Sequence, residues 1–293
     1  MDRILLVDGS NLLFQMFYGM PARITNEDGR SIHGTLGFVG ALLKIIRMVH
    51  PTHVAVLFDG EHENPRTALD EGYKADRPDY SEMPEEDTPF SQLSDIYDAL
   101  DYLRIPHRET ENCEADDWIA GYARRYEEND EIIITSMDSD FFQLIGDHVR
   151  ILRYRGKGSV LCDREYVVEK CGVLPERYAD WKSLVGDTAD HIPGIRGVGP
   201  KNAAALLARF GSLEEIIDHA DEIAKPSLQT AIRENSGRLR LNYQLIALEG
   251  AEELPFEKTQ MTWTDEGLTT TQVLRGIGLR RDREQEETYG SKS

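Results

Sequence analysis

The 293-residue chain contains 40% hydrophobic and 29% charged residues, so it can bury a sizeable core and is not composed like a disordered protein. Its formal net charge of −20 at pH 7 argues against nucleic-acid binding by general phosphate neutralisation, unless clustered acids bind cations that offset part of that charge. No apolar run is long enough to span a bilayer, and residues 4–7 read as a strand instead of a signal peptide, so we expect a cytoplasmic protein without a membrane partner.

In the first half of the chain, apolar β-branched runs alternate with segments of helical periodicity. The predicted elements, in chain order, are a strand at 3–7, helices at 11–20 and 35–49, a strand at 53–58, helices at 88–103 and 114–127, and strands at 131–135 and 149–154. This alternation predicts an α/β fold with a central, mainly parallel sheet flanked by helices. Residues 61–88 interrupt the alternation with a polar stretch.

From residue 163 onward the pattern predicts short helices instead of strands. A glycine-rich turn at 190–201 leads into an Ala/Leu-rich helix at 202–210, after which Gly211-Ser212 ends that helix and caps another. A last helix is predicted at 239–247, and residues 251–293 are expected to be loosely packed and partly disordered. We therefore predict an α/β core at 1–174, a helical region at 175–250 and a C-terminal extension at 251–293.

Nine carboxylates occupy positions from which they could reach one edge of the predicted sheet. They are Asp8, Asp59, Glu114, Asp116, Asp117, Asp138, Asp140, Asp187 and Asp190. Three predicted strands end in one or two of these acids, and three further acids begin the helix that precedes the third such strand. The last two are spaced i,i+3, which would place them on one helix face.

Any one of these acids could be a turn, capping or helix-dipole residue. Gathered together without cations, however, nine carboxylates would repel one another and be forced to protonate. Mg²⁺ or Mn²⁺ suits oxygen ligands, whereas the histidines are not spaced as zinc ligands. Two such ions about 4 Å apart are suited to the hydrolysis of phosphodiesters.

The glycine turn from Gly194 to Lys201 is a separate signal. It is not a Rossmann G-x-G-x-x-G, and it does not fit a P-loop because Pro200 interrupts the Gly-Lys pair and Asn202 replaces Ser or Thr. A helix–hairpin–helix at about 190–212 explains it better, since glycines let the backbone approach DNA and helix-start amides can bind a phosphate. A tight turn between helices without a ligand is the alternative.

Six motifs, taken in order, resemble the bacterial 5′→3′ exonuclease/flap endonuclease family, which includes the N-terminal nuclease domain of type I DNA polymerases. The resemblance covers about residues 3–250 and implies a PIN-like nuclease core. The motifs are DGSNLLFQMFYGM at 8–20, VLFDG at 56–60, PRTALDEGYKADRP at 65–78, EADDWIA at 114–120, TSMDSDFFQLI at 135–145 and GDTADHIPGIRGVGPKNAAALLARFGSL at 186–213.

The resemblance implies two metal sites beneath a helical arch at about 66–100. The tighter site falls on Asp8, Asp59, Glu114, Asp116 and Asp117. Asp138 lies between the two sites, and the weaker site falls on Asp140, Asp187 and Asp190. The implied catalytic residues are Lys74, Arg66, Asp8, Asp59, Asp138 and Asp140.

The resemblance also implies a DNA-binding surface. Arg66 and Lys74 match basic residues that steer the scissile phosphate, and Tyr73 matches a position where an unpaired base stacks. A monovalent cation, K⁺, is implied at the hairpin. The implied DNA-binding residues are Arg66, Tyr73, Lys74, Arg77, Gly197, Gly199 and Lys201.

The chain departs from the family pattern where positive charge is usual. Gln15 stands where the family has Arg, Ser139 where it has Lys, and the arch segment 75–90 is short and acidic. We therefore expect DNA binding that is weaker or more salt-sensitive than is typical of the family.

The leading prediction is a monomeric, structure-specific 5′ nuclease acting on 5′ flaps and 5′ ends of duplex DNA or RNA–DNA hybrids by a two-metal mechanism. Because only residues 251–293 follow the matched segment, we expect a stand-alone nuclease that works beside a separate polymerase. The alternatives are a non-catalytic helix–hairpin–helix DNA-binding protein and a PIN-like ribonuclease or phosphatase. Neither enzyme in the second alternative needs the glycine turn, and a phosphatase would need a D-x-D pattern that Asp8-Gly9-Ser10 lacks.

Overall fold

The computed structural model describes residues 1–62, 65–75, 80 and 83–281. Within them a single sheet has the strand order β3-β2-β1-β4-β5-β6, in which β6 alone runs antiparallel to its neighbour. Its strands are β1 (Arg3–Asp8), β2 (His53–Phe58), β3 (His107–Glu109), β4 (Glu131–Thr135), β5 (Val149–Arg153) and β6 (Val160–Cys162). The predicted α/β fold with a mainly parallel sheet is confirmed. The two strands absent from the prediction, β3 and β6, have three residues each, too few to show a period.

Helices connect and flank these strands, and the described chain after β6 is mainly helical. They are α1 (Gly9–Gly19), α2 (His33–Val49), α3 (Pro65–Leu69), α4 (Leu93–Tyr102), α5 (Ala115–Tyr126), α6 (Arg164–Cys171), α7 (Tyr178–Val185), α8 (Pro200–Phe210), α9 (Leu213–Asp218), α10 (Pro226–Glu234), α11 (Ser236–Ile246) and α12 (Thr270–Gly276). The predicted single helix at 88–103 is a 3₁₀ turn, Pro89–Gln92, followed by α4.

The sheet is covered on both faces, as the apolar runs of β1, β2 and β4 require. In β1, Leu5 and Val7 pack with the cluster formed by α1, α2 and α4, while Ile4 and Leu6 pack with α5 on the opposite face. Helices follow the parallel strands on both sides, so the carboxyl ends of β1, β2 and β4 meet at one open edge. This edge is where the topology gathers the acids.

The helical region shares its core with the α/β half. One apolar cluster contains Ile132 of β4, Val167 of α6, Leu184 of α7 and Leu207 of α8. The predicted division at residue 174 therefore crosses a continuous core, and it stays a prediction.

The expectation that the chain is loosely packed beyond residue 251 is wrong for the segment that includes Met261, Trp263 and Val273. All three side chains are buried, and the Trp263 amide donates to the Thr52 carbonyl at 2.9 Å. Trp263 and Val273 pack on the face of the sheet beside α2 and α4, which α12 contacts, whereas Met261 packs with the cluster on the opposite face. Residues 282–293 lie outside the described part of the chain.

Among the residues that the structure describes, no helix combines the length and apolar character needed to cross a membrane.

Candidate active site

A cleft of about 510 Å³ opens at the carboxyl ends of β1, β2 and β4. Its acidic lining residues are Asp8, Asp59, Glu114, Asp116 and Asp138, with Glu61 at its margin. The structure thus brings together five of the six acids assigned to the tighter site or the position between the sites. Asp117 does not line this cleft.

Local hydrogen bonds fix the orientation of the acids at the strand ends. Asp8 caps α1 by accepting from the Asn11 amide at 2.9 Å, and its second oxygen accepts from the Ser136 hydroxyl at 2.8 Å. Asp59 accepts from the Ala115 amide at 2.9 Å, which ties the end of β2 to the start of α5. Each carboxylate is therefore held in place before any cation binds.

The electrostatics of this cleft favour a bound cation. Burial, reinforced by the neighbouring charges of Asp59 and Asp138, raises the pKa of Asp8 to about 7. Burial and the charges of Asp8 and Asp138 also raise the pKa of Asp116 well above its ordinary value. Acids in such a site hold protons at neutral pH unless a positive charge replaces them.

Lys74 lines the cleft, and Arg66 lies beside it on the same acid, Glu114. Arg66 forms ion pairs with Glu114 and with Asp117, the latter at 2.7 Å, and Lys74 forms an ion pair with Glu114. The capping box of α5 holds both acids in place. The Glu114 amide donates to the Asp117 side chain, and the Asp117 amide donates to the Glu114 side chain. These two acids therefore orient Arg66 and Lys74 over the cleft.

Tyr73 differs from the expectation of a stacking platform. Its side chain is 5% exposed and packs with Ala179, Ile192 and Leu245, and its hydroxyl lies 3.4 Å from Glu114. A base cannot stack on a ring that is packed in this way. Arg77, predicted to bind DNA, lies outside the described residues.

A second acidic cluster lies beside the first. Asp140, Asp187 and Asp190 each offer a carboxylate oxygen, and these oxygens lie within 4.8 Å of one another. Contrary to the expectation from their spacing, Asp187 and Asp190 do not lie on one helix face. They lie in a turn closed by reciprocal backbone hydrogen bonds between Asp187 and Ile192, of 2.7 and 2.8 Å.

Glycines permit this turn by letting two backbone segments touch. A Cβ at Gly194 would lie 1.9 Å from the Val185 carbonyl oxygen, and a Cβ at Gly186 would lie 2.3 Å from the Gly194 nitrogen. Gly186 also has a φ of +85°. The turn that carries Asp187 and Asp190 therefore depends on glycine at both positions.

A buried lysine lies among the acids of this second cluster. Lys182 of α7 is 5% exposed and forms ion pairs with Asp140 and, at 2.5 Å, with Asp187. Burial raises the pKa of Asp140 to about 7 although Lys182 opposes the shift. The sequence analysis missed this lysine, since a single lysine in an amphipathic helix is ordinarily a solvated residue.

The oxygen-only ligand set of the second cluster fits a hard divalent cation such as Mg²⁺ or Mn²⁺. The ammonium group of Lys182 already stands among these oxygens as a positive charge. The structure contains the ligands, the burial and the demand for positive charge that a metal site requires.

The glycine hairpin precedes α8, as predicted, and the structure presents it to solvent. Gly197 has a φ of +90°, Gly199 caps the helix with its backbone, and Lys201 is exposed in the first turn. The Asn202 side chain donates to the Gly197 carbonyl at 3.0 Å and so rigidifies the turn.

Aromatic rings that the sequence analysis did not single out also line the first cleft. Phe14, Tyr80 and Phe90 pack edge to face, with ring centroids 5.3 to 5.8 Å apart. They come from three separate segments, so no single local motif signals the three rings together. Their position beside the acids provides an apolar wall for a planar group.

A mainly parallel α/β core with two adjoining carboxylate clusters at one sheet edge provides oxygen ligands for divalent cations, an arrangement suited to the hydrolysis of phosphodiesters. Comparison with known proteins identifies the family. Residues 3–172 match the model of the 5′-3′ exonuclease N-terminal resolvase-like domain, and residues 173–267 match that of the 5′-3′ exonuclease C-terminal SAM fold. The chain belongs to the 5′-3′ exonuclease family.

Individual relatives agree with this assignment. The chain is 37% identical over 255 residues to DNA polymerase I of Rhizobium leguminosarum, covering 84% of this chain and 24% of that protein. It is 34% identical over 256 residues to the thermostable DNA polymerase I of Thermus thermophilus, covering 87% and 29%. The chain thus spans about a quarter of the length of these relatives.

Two solved structures share the fold. The T5 D15 protein co-crystallised with metal ions gives a TM-score of 0.69 at 21% identity, covering 84% of this chain and 89% of that one. The catalytic core of Rad2 in complex with a DNA substrate gives a TM-score of 0.58 at 17% identity, covering 94% and 93%.

Proposed function

We propose that this protein is a structure-specific 5′ nuclease that hydrolyses phosphodiester bonds at 5′ flaps and 5′ ends of duplex DNA, or of RNA–DNA primers. The observation that supports this most is the pair of adjoining carboxylate clusters beneath two cations. Asp8, Asp59 and Asp116 stand in one cluster and Asp140 and Asp187 in the other. An arrangement of this kind suits a phosphate held between metal ions and basic side chains.

In this proposal Asp8, Asp59, Asp116 and Asp138 hold one divalent ion, and Asp140, Asp187 and Asp190 hold the other. Glu114 and Asp117 complete the first site from its edge. Bound Mg²⁺ or Mn²⁺ would supply an activated water and stabilise the leaving oxygen.

The chain's own cations and rings would handle the substrate. Arg66 and Lys74, aimed by Glu114, would orient the scissile phosphate and stabilise charge that develops on it. Unpaired bases at the 5′ end would pack against the wall formed by Phe14 and Phe90.

The hairpin would bind the duplex at a distance from the cut. Gly197, Gly199 and Lys201 present backbone amides and a positive charge to a phosphate, with a K⁺ ion as a further proposed ligand. The described relatives carry their matching segment within a DNA polymerase. We therefore propose that this chain acts next to a polymerase, in primer removal or repair.

The experiment compares the wild type with Asp140→Asn on 5′-labelled flap, nicked and RNA-primed substrates. We expect metal-dependent products of defined size from the wild type, and none from the variant in Mg²⁺. The variant should still bind flap DNA in Ca²⁺, because its hairpin and cations are intact. Full activity of Asp140→Asn would falsify the two-metal assignment.

The matched control is Asp163→Asn. Asp163 caps α6 through a 2.9 Å hydrogen bond from the Tyr166 amide, and asparagine caps equally well. It removes the same charge away from the clusters, so cleavage should be unchanged. Binding without turnover by the wild type in any metal would instead support a non-catalytic DNA-binding protein.

A further inference from the structure

The second carboxylate cluster holds a positive charge supplied by the chain itself. The Lys182 ammonium forms ion pairs with two of the three acids in the cluster, Asp140 and Asp187. Lys182 and Asp140 are buried, with side chains 6% and 12% exposed. The lysine is therefore not a surface residue that happens to approach the site.

A divalent ion in this cluster would need the oxygens that now accept from Lys182. An ammonium group and a metal ion repel each other strongly at the separation of shared ligands in a buried site. At least one ion pair of Lys182 must therefore break when the ion binds. Removing the lysine, conversely, leaves the buried Asp140 and the half-buried Asp187 without their ion-pair partner in the metal-free protein.

The lysine has room to move aside. Lys182 and Asp187 both line a cleft of about 560 Å³. A displaced ammonium can therefore turn toward the open space of this cleft and is not forced into the apolar core.

We propose that Lys182 is the resident counter-cation of the second metal site. It holds Asp140 and Asp187 in place when no metal is bound, and it competes with the divalent ion for the same oxygens. It thereby weakens the second site and makes its occupation reversible. This inference rests on the proposed function, because it takes the cluster to be a metal site.

The chain contains a matched lysine with no metal site. Lys258 pairs with Asp2 at 2.7 Å and with Asp130 at 2.5 Å at the opposite end of the sheet. Asp130 is 4% exposed, so this group also places a lysine between two aspartates, one of them buried. Replacing Lys258 therefore tests loss of a doubly paired lysine without touching the clusters.

The test measures Ca²⁺ binding by calorimetry, and thermal unfolding with EDTA and with Ca²⁺, for the wild type, Lys182→Met, Lys182→Arg and Lys258→Met. For Lys182→Met we expect second-site Ca²⁺ affinity to rise by at least about tenfold, since a competing charge is gone. Its unfolding temperature in EDTA should fall, and Ca²⁺ should raise that temperature by more than in the wild type. Lys182→Arg keeps the charge and should bind Ca²⁺ about as weakly as the wild type.

Lys258→Met should lower the unfolding temperature equally with and without Ca²⁺, with unchanged Ca²⁺ affinity. Unchanged or weaker Ca²⁺ binding by Lys182→Met would overturn the proposal. If Lys182→Met folds only with metal, it can be purified in Ca²⁺, and its second-site Ca²⁺ affinity can be measured by competition with a chelator. DNA cleavage by the wild type combined with unchanged affinity in Lys182→Met overturns this inference alone, whereas absence of cleavage in every metal overturns the proposed function.

Discussion

Metal binding to this protein should release more protons at pH 6 than at pH 8. Burial raises the pKa of both Asp8 and Asp140 to about 7, from an ordinary value of 3.8. The charges of Asp59 and Asp138 add to the shift of Asp8, and Asp138 adds to that of Asp140. A divalent ion binds the deprotonated carboxylates, so it must displace any protons they carry.

The size of the effect follows from these pKa values. A carboxyl with a pKa of about 7 is roughly 90% protonated at pH 6 and roughly 10% protonated at pH 8. Each of Asp8 and Asp140 should thus release close to one proton at pH 6 when its site is filled. Metal affinity should fall about tenfold per pH unit below pH 7 for each proton released.

The same shifts fix the sign of the pH dependence of stability. The folded, metal-free protein binds protons between about pH 4 and pH 7 that the unfolded chain has already lost. Its free energy of unfolding should therefore decrease as the pH rises through that window, and a saturating divalent ion should remove this dependence because the metal-bound acids carry no protons.

Calorimetric titration with Ca²⁺ at pH 6 and pH 8, each in two buffers of different ionisation enthalpy, counts the protons directly. The Asp140→Asn variant should release about one proton fewer than the wild type at pH 6. Equal proton counts at the two pH values would refute the reasoning, because the acids would then already be ionised at pH 6.

Three further predictions concern the turn, the C-terminal segment and DNA affinity. Gly194→Ala should abolish second-site metal binding and cleavage, because its Cβ would lie 1.9 Å from the Val185 carbonyl oxygen. A Cβ at Gly197 would meet no atom within 4 Å, so Gly197→Ala should cost only about 1 kcal/mol of backbone strain and leave metal binding unchanged. Trp263→Ala should lower the free energy of unfolding by about 3–5 kcal/mol in urea titrations and leave cleavage-product sizes unchanged, because the buried ring lies in the core away from the clusters. Gln15→Arg should lower the dissociation constant for flap DNA in a binding titration at fixed salt, and unaltered affinity would show that position 15 does not face phosphate.

The pattern of apolar residues predicts most of the fold, because each of the four predicted strands has an apolar sequence of its own. Residues 54–58 are apolar throughout, and they form most of β2. His107–Glu109 is polar and three residues long, and it is a strand only because β2 offers it an edge. The packing of the C-terminal segment could not be predicted for a related reason. Trp263 and Val273 are buried against residues of α2 and α4, which lie far away in the sequence.

The sequence by itself determined the mainly parallel α/β sheet and the places where the acids follow its strands, because both depend on neighbours within a few residues. Only the tertiary structure decided which cations the acids pair with. It turned Glu114 toward Arg66 and Lys74, packed Tyr73 away from the cleft, and placed Lys182 between Asp140 and Asp187. The physical reason is that a buried charge takes its partner from whatever the fold brings near: the sequence separations of Arg66–Glu114, Lys74–Glu114 and Lys182–Asp140 are 48, 40 and 42 residues.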